Sequence, residues 1–138
     1  MTNISKRVLE PEEMTHLMDQ FYSTIASLSK KTTPHFFGDL LGEEEKIMFA
    51  KRLGAIILCI QGKSTYRIWT ALHISPATAQ KIRDQYKDGH YRNLENIYKK
   101  NHVEFQTFLD TLETIIKCDM FPRGKGRWKH VTRMLTQK

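Results

Sequence analysis

The sequence predicts an all-helical protein, and three observations support that prediction. Its 138 residues include only 4 prolines and 7 glycines, so few residues interrupt regular structure. Nowhere do four or more residues alternate between apolar and polar as they would in a half-buried strand. Apolar residues instead recur at spacings of three and four, which is the period of a helix with one buried face. A chain of this length can fold as one domain with a packed core.

The first predicted helix covers residues 11 to about 29. Pro11 suits the first helical position, and two glutamates follow it near the positive end of the helix dipole. Its apolar face contains Met14, Leu17, Met18, Phe21, Ile25 and Leu28. A short second helix follows, with Thr33 as its cap before Pro34.

A third helix is predicted over residues 43–61. Three glutamates mark its start, and Gly62 stands in the usual stop position. Its apolar residues spread around most of its circumference: Ile47, Met48, Phe49, Ala50, Leu53, Ile56, Ile57, Leu58 and Ile60. Such a helix must be buried on more than one side, either by its own chain or by a second subunit.

A helix-turn-helix pattern follows between residues 63 and 86. Ser75 and Pro76 supply a capping serine and a first-position proline for the second helix, residues 76–86. Five apolar residues fall on the inward side of the two helices: Ile68, Leu72, Ile74, Ala79 and Ile82. In such a unit the second helix enters the major groove of DNA while the first braces across the backbone. The alternative is a helical hairpin that binds no ligand.

The outward side of residues 76–86 carries side chains suited to reading bases. Gln80 can contact adenine through two atoms, and Lys81 can reach the acceptors of guanine. Thr78 can bond a base or a phosphate, and Ala77 can touch a thymine methyl group. The residues of this unit predicted to bind phosphates are Lys63, Ser64, Thr65, Tyr66, Arg67, Ser75 and Arg83.

Charge is distributed unevenly along the chain, whose net charge is +7. Residues 1–45 carry 4 Lys+Arg and 8 Asp+Glu, whereas residues 46–138 carry 18 and 7. This division favours a protein partner for the acidic part and an anionic partner for the basic part. The basic C-terminal arm is predicted to bind phosphates or enter the minor groove through Arg123, Lys125, Arg127 and Lys129. The alternative for this arm is a solvated tail in which Trp128 anchors a last short helix.

Several function classes lack the residues they need. The longest apolar stretch, residues 55–60, is too short to span a membrane, and the N-terminus lacks the apolar core of a signal peptide. Two distant cysteines are typical of a reduced chain. The 6 histidines are scattered, and neither a Gly-rich phosphate loop nor a metal-ligand spacing occurs. The sequence therefore predicts a soluble cytoplasmic protein that is not an enzyme and holds no metal or cofactor.

The order of several sequence blocks resembles the Trp repressor superfamily over about residues 34–91. The blocks are Phe36-Phe37-Gly38-Asp39-Leu40-Leu41-Gly42-Glu43-Glu44-Glu45, Ala50-Lys51-Arg52-Leu53, Gln61-Gly62-Lys63-Ser64, Ile74-Ser75-Pro76-Ala77-Thr78 and Lys87-Asp88-Gly89-His90-Tyr91. The resemblance implies an intertwined homodimer with interleaved N-terminal helices. Its two recognition helices would read a roughly palindromic DNA site at a spacing of about 34 Å, a rule established on Trp repressor among others.

The resemblance also implies an effector pocket. In the tryptophan-binding members, two basic residues of this pocket flank the indole. Arg52 matches their arginine on the central helix, and Lys81 stands near their second basic residue. The alternative for Arg52 is a structural ion pair with the acidic N-terminal region. Gly42 replaces a threonine, and lysine does not stack as arginine does, so the sequence argues against tryptophan as a small-molecule corepressor. The helix-turn-helix pattern departs from the usual one at two positions, because Trp69 replaces a small residue and His73 replaces a turn glycine.

These observations predict three parts: N-terminal dimerisation helices (1–62), a helix-turn-helix unit (63–86) and a C-terminal helical extension (87–138). The predicted function is a sequence-specific regulator of transcription that acts as a homodimer on double-stranded DNA. A repressor is favoured, because occupancy blocks DNA and the chain has no evident activation domain. The alternative is a non-enzymatic helical interaction protein whose basic surface binds RNA or an acidic protein. The DNA-binding domains of replication initiators and transposases are a further similar class.

Overall fold

The computed structural model describes residues 8–118, which form seven α-helices. They are α1 (Pro11–Ala26), α2 (Thr33–Leu40), α3 (Glu43–Ile60), α4 (Thr65–Leu72), α5 (Pro76–Lys87), α6 (Arg92–Lys100) and α7 (His102–Lys117). No strand occurs in this part of the chain, which confirms the predicted all-α class. The bounds of α3 and α5 lie within one residue of those predicted.

The first helix ends earlier than predicted, at a turn where serine and threonine side chains compete for backbone hydrogen-bonding groups. Ser27 Oγ donates to the carbonyl of Thr24 at 2.6 Å. The Ser29 N–H then donates to Thr32 Oγ1 at 2.9 Å, and the Thr32 N–H donates to Ser29 Oγ at 3.1 Å. Such bonds stabilise a turn in place of a further helical turn. The N-cap of α2 is consequently Thr32 and not Thr33.

The chain divides into two compact units at the start of α3, between Glu43 and Glu44. The first unit holds α1 and α2, and no residue of either helix is buried. The second unit holds the helix-turn-helix pair α4 and α5 together with α6 and α7. The described part of the C-terminal extension therefore belongs to the same unit as the helix-turn-helix.

The core of the second unit is built on the second half of α3. Residues 54–59 of this helix are all buried, so this half is covered around its whole circumference. The other core residues are contributed by α4, α5 and α7: Ile68, Leu72, Ala79, Ile82, Leu109, Leu112 and Ile116. The first half of α3 differs, because Met48 and Phe49 are 63% and 54% exposed.

Gly54 allows α7 to approach α3 closely. A Cβ atom at Gly54 would lie 2.7 Å from Leu112 Cδ2, which is too close for an undisturbed contact. Polar bonds hold the same helix in place, since Gln61 Nε2 donates to Gln106 Oε1 at 2.8 Å and Arg67 pairs with Glu113 at 3.5 Å. These contacts fix α7 against the base of the helix-turn-helix.

The turn between α4 and α5 contains a non-glycine residue in the left-handed region. His73 is the C-cap of α4 and has a φ of 52°. Its carbonyl accepts a hydrogen bond from Lys51 Nζ at 3.3 Å. A side chain with a Cβ atom is strained in this conformation by about 1–2 kcal/mol, whereas glycine adopts it readily.

Replacing His73 with glycine should raise the free energy of unfolding by about 0.5–1 kcal/mol, because relief of strain outweighs the extra freedom of glycine in the unfolded chain. Urea denaturation of the wild type and the variant measures the difference. The matched control is His102→Gly at the first residue of α7, where glycine should bring no gain. A less stable H73G protein would contradict the account.

Candidate nucleic-acid interface

The helices α4 and α5 pack together through the inward residues that the sequence predicts. Ile68, Leu72, Ala79 and Ile82 are buried, and Ile74 is half-buried against the same core. Each helix also begins with a serine cap. Ser64 Oγ accepts from the Arg67 N–H at 3.1 Å, and Ser75 Oγ accepts from the Thr78 N–H at 3.0 Å. Both helix starts are therefore stabilised by a capping serine, as the sequence predicts for α5.

The outward face of α5 brings together the four residues predicted to read bases. Ala77, Thr78, Gln80 and Lys81 are all exposed, as is Asp84 one turn after Gln80. Because Ala79 and Ile82 are turned into the core, the orientation of α5 about its own axis is fixed. The set of side chains that α5 exposes is therefore defined by packing within the unit.

Two of the arginines predicted to bind phosphates also brace the unit. Arg67 on α4 pairs with Glu113 on α7, and Arg83 on α5 donates to the carbonyl of Lys63 at 2.5 Å. Lys63 and Tyr66 are exposed near the start of α4, where Thr65 is half-buried. The predicted phosphate contacts of residues 63–67 thus lie along the start of one helix.

Four further phosphate contacts were predicted in the C-terminal arm. Arg123, Lys125, Arg127 and Lys129 lie outside the described residues, as does Trp128.

A cavity of about 600 Å³ lies beside α5 and brings together the two predicted effector residues, Arg52 and Lys81. It is lined by Met48, Lys51, Arg52, Ile74, Thr78, Lys81, Ile82, Gln85, His90 and Tyr91. None of these lining residues is acidic, so the lining carries positive charge beside an apolar part. Burial lowers the pKa of Lys51 and raises the pKa of Tyr91. The cavity therefore places cationic side chains next to apolar ones.

Sequence reasoning missed three polar contributions to this region. Lys51 lines the cavity and holds the turn at His73, although only its neighbour Arg52 was singled out. Tyr91 lines the same cavity and donates a hydrogen bond to Gln85 Oε1 at 2.6 Å, a contact that no local sequence pattern predicts. Asp84 accepts a hydrogen bond from Gln80 Nε2 at 2.8 Å, which the spacing of four residues on a helix could have indicated.

Two site classes receive no support from residues 8–118. These residues contain no group of three or more His, Cys, Asp or Glu side chains placed to hold a metal ion. No helix within them has both the length and the apolar character needed to cross a bilayer.

No family model, curated protein or solved structure matches the chain.

Proposed function

We propose that this protein is a sequence-specific regulator of transcription that binds double-stranded DNA as a homodimer, with α5 in the major groove. The observation that carries the proposal is the outward face of α5. It exposes an amide, an ammonium group, a hydroxyl and a methyl group from Gln80, Lys81, Thr78 and Ala77. A helix fits the major groove, and these groups match the donors, acceptors and methyl groups of base edges there.

The charge of the second unit supports a polyanionic partner. Residues 46–118 carry 12 Lys+Arg and 6 Asp+Glu. Lys63 and Arg67 lie at the start of α4, beside the outward face of α5, which we call the reading face. Phosphate contacts of this kind position a protein on the duplex and supply most of the affinity that does not depend on sequence.

Exposed apolar surface supports a second copy of the chain as the other partner. On α1, Leu17 and Phe21 are 53% and 38% exposed, and Met48 and Phe49 on α3 are also uncovered. Monomeric proteins rarely leave such surfaces in water. The acidic first unit of one copy complements the basic second unit of another, which favours exchange of N-terminal helices between copies. Two copies would present two α5 helices to successive segments of the major groove.

We propose that the protein represses by occupying its DNA site without a requirement for tryptophan beside α5. A lysine at position 81 cannot provide the flat stacking surface that an arginine would offer to an indole.

Removing a phosphate contact should flatten the salt dependence of DNA binding. With Lys63→Gln, the plot of the logarithm of the association constant against the logarithm of salt concentration should become less steep. The magnitude of its slope should decrease by about 0.9 per lysine lost, or about 1.8 for two copies. Fluorescence-anisotropy titrations of a labelled duplex at several salt concentrations measure this slope.

The matched control is Lys99→Gln, which removes the same charge from an exposed position on α6. It should leave the slope unchanged. Equal reductions in the two variants would indicate a diffuse basic surface, as expected for an RNA-binding or acidic-protein-binding scaffold.

A further inference from the structure

The reading face of α5 contains one amide group that is already held by hydrogen bonds. Gln80 Nε2 donates to Asp84 Oδ1 at 2.8 Å, one helical turn further along α5. Gln80 Oε1 accepts from Thr65 Oγ1 on α4 at a longer 3.5 Å. The amide thus has one partner on each helix, and the shorter bond to Asp84 sets its orientation.

These hydrogen bonds use half of the donors and acceptors of the Gln80 amide and leave the other half for a ligand. An amide NH₂ group has two donors, and its carbonyl oxygen has two lone pairs. One N–H and one lone pair of Gln80 therefore remain. Adenine presents an acceptor at N7 and a donor at N6 in the major groove, and an amide can bond both at once.

Orientation decides which base pair such an amide recognises. An unrestrained glutamine can turn its amide by half a rotation and exchange the places of donor and acceptor. The exchanged amide suits an adenine on the opposite strand of the duplex. Ionised Asp84 only accepts hydrogen bonds, so it holds Nε2, and not Oε1, toward the C-terminal end of α5.

We infer that Asp84 is a positioning residue that fixes the Gln80 amide, so that each recognition helix selects adenine on one strand and rejects the reversed base pair. The inference rests on the proposed DNA-binding function and names the base that Gln80 reads. It also gives a reason for a carboxylate on a face that approaches phosphates, where a negative charge by itself weakens binding. A fixed side chain loses less freedom when it binds, which favours the correct base further.

The test begins with duplexes selected by the full-length wild type from random DNA. The position that loses its preference in Gln80→Ala identifies the base pair that Gln80 reads. Anisotropy titrations then compare duplexes with A·T and T·A at that position. The wild type should prefer A·T by about tenfold, within the range that a two-point base contact provides.

Asp84→Ala should reduce this ratio to below about threefold, whereas Asp84→Glu, which keeps a carboxylate that only accepts hydrogen bonds, should retain most of it. Asp88→Ala removes an equal charge from the residue that caps the end of α5 and should leave the ratio unchanged. Thermal melting of each variant should match the wild type, because both aspartates are exposed. A purely electrostatic role for Asp84 would change the affinity for both duplexes equally and leave their ratio intact.

Three results would overturn the inference while the DNA-binding function stands. They are an unchanged ratio in Asp84→Ala, no position that depends on Gln80, or loss in Asp84→Ala of a preference for cytosine at a neighbouring position. The last would show that Asp84 reads a base itself, since a carboxylate can accept from cytosine N4. A wild type that selects no motif would instead contradict the proposed function.

Discussion

Replacing both Leu17 and Phe21 with aspartate should separate the two copies and weaken binding to the selected DNA site by about 100-fold or more. The two side chains lie four residues apart on the uncovered apolar face of α1, where we place the second copy. An unpaired carboxylate buried in such an interface costs several kcal/mol. A monomer then contacts a single half-site and loses the 10²–10⁴-fold gain, in order of magnitude, of linked binding.

Sedimentation equilibrium measures the first effect, and anisotropy titration on the selected duplex measures the second. The matched control carries aspartate at Thr15 and Ser23, which are exposed and fall on the opposite side of α1. It should remain a dimer and bind normally. A monomeric wild type, or a double variant that stays dimeric at full affinity, would contradict the proposed homodimer.

Much of the second unit could be predicted from local sequence. The start of α5 is given by Ser75 and Pro76, and the inward positions by the spacing of apolar residues. Helix capping and helical periodicity both depend on residues that are close together in the sequence, so a single sequence can indicate them. The exposed side chains of α5 could be predicted in turn, because burial of Ala79 and Ile82 determines which side of the helix faces solvent.

The two unusual residues of the helix-turn-helix are accommodated in different ways. Trp69 packs partly buried against the core and meets the ring of Tyr66 edge-on, at 5.2 Å between ring centres. Trp69 therefore fills part of the core. His73 instead adopts the backbone conformation of the glycine that it replaces.

Contacts between distant residues could not be predicted from the sequence. Gln61 and Gln106 are 45 residues apart, and Arg67 and Glu113 are 46 apart, yet in each pair the second residue lies on α7 and bonds to the first. No spacing rule relates such positions, because only the packed core decides which helices meet. The cavity beside α5 is similar, since its lining combines residues from α3, α5 and the segment that follows α5. The early end of α1 has a local cause, namely competition by Ser27, Ser29 and Thr32, which the apolar pattern concealed.

Replacing Gln80 and Lys81 together with alanine should abolish sequence preference while preserving the fold. Both side chains are exposed on α5, so their loss leaves the core intact. Each two-point base contact contributes about 1–3 kcal/mol of discrimination, and two copies of α5 would lose it twice. Binding that depends only on phosphates should persist and remain sensitive to salt.

Selection of bound duplexes from a random pool, at moderate salt, tests the central claim most directly. The wild type and the Gln80→Ala/Lys81→Ala variant are run side by side. We expect the wild type to enrich a two-fold symmetric motif whose half-sites lie about one helical turn apart, and we expect the variant to lose it. Salt-sensitive binding by the wild type without any enriched motif would contradict the account and favour a basic scaffold that binds nucleic acid without reading its sequence.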